Sequence, residues 1–155
     1  MSNIGVFAGS FCPFTKGHEH LVEKALPLFD KLFIAIGFNA AKKSVFSVEQ
    51  RKAWIEQIYI EQPNVEVVSY EGLTTDLCRR LGARFLVRGV RNTTDFAAEQ
   101  ELALINHRLN PQVETILLPT DPEYAIISSS LVRELWLLKA DYSPYISYLL
   151  PNHEK

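Results

Sequence analysis

The chain has 155 residues, 47% apolar and 22% charged, which suits an ordinary globular domain with one sizeable core. A net charge of −2 without a basic block argues against a nucleic-acid binder that works by neutralising phosphates. Cys12 and Cys78 lie far apart, which argues against a disulfide framework or a CxxC zinc site and fits a reducing cytoplasm. A charged-then-apolar leader and a membrane-length apolar run are both missing from the sequence.

The first apolar run predicts a strand at 4–8, followed by Gly9-Ser10-Phe11-Cys12-Pro13-Phe14-Thr15-Lys16-Gly17-His18 and a helix at 17–29. A strand, a Gly/Pro turn and a helix start present backbone N–H groups to a phosphate, with the His18 imidazole beside the positive end of the helix dipole. A histidine at a helix start is otherwise a capping or surface residue, and the preceding strand-turn is what favours phosphate chemistry. His20, two positions on, cannot pair with His18 at helical spacing and reads as solvated surface. His107 and His153 have no functional context.

A second strand is expected at 32–37. The polar loop after it carries Lys42-Lys43, a doublet that is either solvated or, if this strand neighbours the first, within reach of the same phosphate. Ser47 and Gln50 stand in capping-box spacing at the start of a helix over 47–61. A strand at 65–70 and a helix at 74–81 follow, with Gly82 as the stop signal. The fourth strand, 85–87, runs into Arg88-Gly89-Val90-Arg91. Two guanidinium groups around a glycine suit bidentate phosphate binding, or else pair with Asp95, Glu99 and Glu101. Glu99 either orients an arginine or contacts a nucleotide.

After a helix at 94–109 and a strand at 113–118, Ser128-Ser129-Ser130 opens a helix at 129–139. One serine caps that helix, and the others add hydroxyl and N–H groups for a second phosphate cradle. A last helix is expected at 143–149. Alternating strands and helices without a linker or repeat predict a single domain over 1–155. Its fold class is α/β, a doubly wound, five-stranded, mostly parallel sheet with helices on both faces, Rossmann-like if the strand order is 3-2-1-4-5. The three polar clusters then lie at strand carboxyl ends, where such sheets bind ligands.

Gly-Ser-Phe-x-Pro-x-Thr-x-Gly-His, Arg-Gly-x-Arg and Ile-Ser-Ser-Ser-x-Val-Arg-Glu, at these distances, closely resemble the bacterial phosphopantetheine adenylyltransferases. The first motif alone marks the wider nucleotidyltransferase superfamily. The resemblance implies transfer of AMP from ATP to 4′-phosphopantetheine, with Mg²⁺ bound with ATP, no covalent intermediate, a cytoplasmic setting and a homohexamer. Coenzyme A and dephospho-coenzyme A are then further ligands, and the latter is the product.

Carried over by likeness, His18 stabilises the transition state, with Lys42 and Arg91 as further catalytic groups. Ser10, Phe11, His18, Gly89, Val90, Arg91, Glu99 and the run Tyr124, Ala125, Ile126, Ile127, Ser128, Ser129 and Ser130 contact ATP. Ser10, Lys42, Thr74 and Arg88 hold the acceptor. Cys12 stands where the family usually has aspartate, Tyr124 where it often has tryptophan, and Ala98 where some relatives carry an aromatic residue. A thiol in the phosphate turn is expected to be reactive and to be shielded from alkylation by ATP. Rival readings are a sister enzyme acting on nicotinamide mononucleotide or a phospho-alcohol, and a nucleotide-binding module without catalysis. The Thr-Lys-Gly-His form of the first motif favours the pantetheine enzyme.

Overall fold

The computed structural model describes residues 2–153. Strands β1 (Ile4–Gly9), β2 (Lys31–Gly37), β3 (Val65–Tyr70), β4 (Phe85–Val90) and β5 (Glu114–Pro119) alternate with helices. These are α1 (Lys16–Ala25), α2 (Val48–Ile58), α3 (Thr74–Leu81) and α4 (Thr93–Leu109), and α5 (Ser129–Leu137) follows the last strand. Every strand pairing is parallel and the order is β3-β2-β1-β4-β5, which makes the sheet Rossmann-like.

The strands read as apolar runs because both faces of the sheet are covered. In β2, Leu32, Ile34 and Ile36 join Val22, Ala25 and Ile55 in one cluster, while Phe33 and Ala35 join Leu77 and Cys78 in another. Burial raises the Cys78 thiol to about 11, so it is an inert core residue. A third cluster gathers Cys12, Phe46, Val132, Ile146 and Leu150, with Trp54, Trp136 and Tyr148 packed against it. It ties together the turn after β1, the loop after β2, α5 and the C-terminal residues.

Several expected elements change on folding. The first helix ends as an α-helix at Ala25, and Pro27 sits in a 3-10 turn over Leu26–Leu28. The helix expected at 143–149 does not form. Asp141 instead accepts from the Ser143 N–H at 2.9 Å and from its hydroxyl at 2.6 Å, making a side-chain turn. Pro144 lacks an N–H, and Tyr142, Tyr145, Ile146, Tyr148 and Leu150 are inserted singly into the third cluster. The α3 stop is as expected: Gly82 adopts a left-handed φ of 68° at the C-cap.

Candidate active site

The chain leaves β1 toward β2 and leaves β4 toward β5, so strand order reverses between β1 and β4. A cleft of about 340 Å³ opens there, at the carboxyl ends of the two strands. Its walls come from the turn after β1, the end of β4, the first turns of α4 and the entry to α5.

His18 is the third residue of α1, and its orientation follows from how that helix is capped. The Thr15 side chain accepts the His18 N–H at 3.4 Å, and His18 Nδ1 accepts the Thr15 N–H at 2.9 Å. This is a capping box with an imidazole in place of the usual carboxylate or amide. Because Nδ1 accepts, the proton of the neutral ring resides on Nε2, available as a donor in the cleft. Phe7, Phe11 and Phe14 surround the ring, with centroids 6.1, 5.0 and 5.1 Å away. Burial, reinforced by the charges of Arg88 and Arg91, lowers its pKa to about 4. His18 is therefore a neutral N–H donor at physiological pH.

Phe11 holds the turn open from a left-handed φ of 47°, a strained conformation for a bulky residue. Edge contacts with Phe7 and Phe14, each at 5.1 Å, secure it. A Cβ on Gly17 would meet Thr15 Oγ1 at 3.4 Å and the Ile127 carbonyl at 3.7 Å, both ordinary contacts, so the helix start does not sterically require glycine.

Arg88 is the most constrained cation of the cleft. Its Nε and Nη2 donate to the two Glu99 carboxylate oxygens, both at 2.8 Å, and Nη1 donates to the Ala8 carbonyl at 2.8 Å. Glu99 thus orients the arginine and raises its pKa, and the bonds leave donor capacity for an anion. Arg91 donates through Nε to Asp95 at 3.0 Å and holds that carboxyl below the usual range. Across the cleft the three serines divide their work. Ser128 caps α5 by accepting the Leu131 N–H at 3.1 Å, and Ser129 donates to the Pro13 carbonyl at 2.7 Å. Ser130 accepts from Arg133 at 3.2 Å.

The cleft brings together Ser10, Phe11, His18, Arg88, Gly89 and Arg91 with Glu99, Tyr124, Ile127, Ser128 and Ser129. Val90, Ala125, Ile126 and Ser130 lie outside its wall. So does Lys42, in the exposed loop after β2, and so does Thr74, whose hydroxyl is 2.7 Å from the Tyr70 hydroxyl. Asp95 joins the wall as an arginine partner the sequence offered, and Thr15 joins it unforeseen, although its capping-box spacing to His18 was a readable signal. Leu21 and Thr120 carried no signal.

Two expectations are corrected. His20 is not solvated: its ring stacks on Tyr124 at 4.2 Å and 14°, with Nε2 3.2 Å from Asp121 Oδ2. Cys12 does not face the cleft. It is 8% exposed, its side chain packs into the third cluster, and its carbonyl accepts from Arg133 at 2.7 Å.

A parallel sheet with a cleft at its strand-order switch is the architecture of the cytidylyltransferase-like nucleotidyltransferases, and the family model described as Cytidylyltransferase-like matches residues 6–135. The chain is 49% identical over 138 residues to the phosphopantetheine adenylyltransferase of Flavobacterium psychrophilum, covering 89% of this chain and 91% of that one. It is 45% identical over 148 residues to that of Cytophaga hutchinsonii, covering 96% and 99%. The chain belongs to the phosphopantetheine adenylyltransferase family.

Solved structures extend the fold to more distant enzymes. A bifunctional NMN adenylyltransferase/ADP ribose pyrophosphatase from Francisella tularensis superposes with a TM-score of 0.73 at 21% identity, over 94% of this chain and 45% of that one. The Plasmodium falciparum nicotinic acid mononucleotide adenylyltransferase complexed with NaAD gives 0.66 at 17% identity, over 94% and 91%. At these identities the likeness is one of fold.

Proposed function

We propose that the protein transfers the adenylyl group of ATP to 4′-phosphopantetheine, giving dephospho-coenzyme A and pyrophosphate by direct in-line attack. The observation that carries this reading is the neutral His18 N–H donor, flanked by Arg88 and Arg91 where β1 and β4 end. An oxygen of the acceptor's phosphate monoester attacks the α-phosphorus as the bond from that phosphorus to the pyrophosphate oxygen breaks. The attacking group is already anionic, so no general base is required. What the reaction demands is that two anions be held together and charge be stabilised as it builds on the non-bridging oxygens. His18 donates to one of those oxygens, and Lys42 and Arg91 offset the remaining charge. Positioning of this kind supplies about 7–11 kcal/mol of barrier reduction.

In this reading Ser10, Phe11, Gly89, Val90, Arg91 and Glu99 contact the nucleotide, and the α5 entry from Tyr124 through Ser130 closes over it. Ser10, Lys42, Thr74 and Arg88 hold the acceptor. Mg²⁺ enters as part of the ATP substrate, where it neutralises the triphosphate. A single domain over 1–155, a cytoplasmic setting and a homohexamer complete the proposal. Among the described residues, no helix is long and apolar enough to cross a membrane.

The test is pyrophosphate release from ATP and Mg²⁺ with 4′-phosphopantetheine, with nicotinamide mononucleotide as the control acceptor. Release that requires phosphopantetheine is expected. Release only with the control reassigns the protein to the sister enzymes, and release with neither leaves a nucleotide-binding module.

A further inference from the structure

Arg51, on the first turn of α2, is 2% exposed. A buried guanidinium ordinarily faces a carboxylate, because a desolvated charge without an opposite partner is costly. Among the described residues, none of the ion pairs includes Arg51. Its partners are neutral oxygens: Nη1 donates to the Ser10 carbonyl at 2.6 Å, Nε to the Ser47 carbonyl at 3.3 Å, and Nη2 to the Ser44 hydroxyl at 3.5 Å.

Those partners belong to two segments on which the proposed reaction depends. Ser10 begins the turn that leads to His18, and Ser44 and Ser47 end the loop that carries Lys42. The near end of that loop is tied to the sheet edge, where Glu71 accepts the Ala40 N–H at 2.9 Å. Its far end is anchored by Phe46, which is 1% exposed. Residues 40–45 between them are exposed, and Lys42 has no side-chain partner among the described hydrogen bonds and ion pairs.

We propose that Arg51 is a positioning residue for the acceptor: it clamps the Lys42 loop to the Ser10 turn so that one phosphate monoester meets both. The inference rests on the functional reading above and adds a residue to it. The serine oxygens solvate the guanidinium, which lies outside the cleft wall and so acts on the acceptor through Ser10 and the Lys42 loop. A lysine at this position keeps the charge but loses the planar fork that reaches three oxygens at once.

Arg51→Lys and Arg51→Met are compared with the wild-type protein in two assays. In steady-state kinetics, Arg51→Lys is expected to raise the KM for 4′-phosphopantetheine about tenfold, as for a lost hydrogen bond to a charged group, with the KM for ATP changed less than about twofold. Arg51→Met is expected to show the larger effect, and if it does not fold, Arg51→Lys decides alone. An unchanged acceptor KM, or a rise shared equally with ATP, overturns the proposal and makes Arg51 a purely structural clamp. The second assay is thermal stabilisation by inorganic phosphate, which needs no turnover. Weaker stabilisation of Arg51→Lys than of wild type supports the proposal, and equal stabilisation overturns it. Wild-type protein without turnover overturns the functional reading by itself, and the phosphate titration still decides the role of Arg51.

Discussion

His18 works as a neutral donor because the same turn that exposes its Nε2 also occupies its Nδ1 and surrounds the ring with phenyl groups. Replacing it with alanine removes a donor directed at charge that develops in the transition state. His18→Ala is expected to lower kcat several hundred-fold, about 3–4 kcal/mol, with the KM for ATP changed much less. Near-native turnover would remove His18 from the mechanism. The lowered pKa also makes His18 a source of pH-dependent stability. Its folded value of about 4 lies below the ordinary histidine value of 6.5, so the unfolded chain binds more protons between those limits. The stability that His18 contributes is complete above pH 6.5 and is lost as the pH falls toward 4. The Tm difference between ligand-free wild type and His18→Ala should therefore shift against the wild type across that window, and a constant difference would contradict the assignment. His18 was legible in the sequence because helix start and turn motif coincide in Thr-x-Gly-His. The Tyr124 stack of His20 was not, because it joins segments more than a hundred residues apart. The Cys12 side chain likewise follows tertiary packing, and no local pattern announces which way a turn residue faces.

At the scale of elements, the cleft depends on close approach between β4 and α1. A Cβ on Gly89 would lie 2.3 Å from Leu21 Cδ1 and 3.2 Å from Cδ2, so the buried Leu21 side chain would have to shift. Gly89→Ala is expected to cost about 1–3 kcal/mol through overpacking, read as a lower Tm and weaker ATP binding. Unchanged stability would mean that Leu21 repacks freely. Strands and capped helices were readable because their signals are local: continuous apolar runs, Ser47 with Gln50, and Gly82 as a stop. The segment at 143–149 misled because its apolar spacing mimics a helix. Pro144, the Asp141 turn and the pull of the third cluster on single aromatic residues together outweigh that periodicity. The clamp of Arg51 on Ser10 belongs to the same group of unreadable contacts, since it bridges 41 positions.

For the whole molecule, strand–helix alternation anticipated a parallel sheet covered on both faces, and its order, β3-β2-β1-β4-β5, determines where the cleft opens. The subunit surface was less legible. Helix α4 has no fully buried residue and exposes Phe96, Leu104, Ile105 and Leu109, each by 47% or more. Such a face fits the proposed hexamer, in which a second copy of the chain would cover it. Light scattering is expected to report six times the 17.6 kDa chain mass, and Leu104→Glu is expected to reduce it. A wild-type monomer at micromolar concentration would contradict the hexamer. In the proposed reaction the adenylyl group passes from ATP to the acceptor without a covalent enzyme intermediate. Its most direct test is mass spectrometry of both product and protein after a single turnover of ATP, Mg²⁺ and 4′-phosphopantetheine. Dephospho-coenzyme A and pyrophosphate in equal amounts, with unmodified protein throughout, is the expected result. An AMP-modified protein, or ATP consumed without dephospho-coenzyme A, would contradict the account.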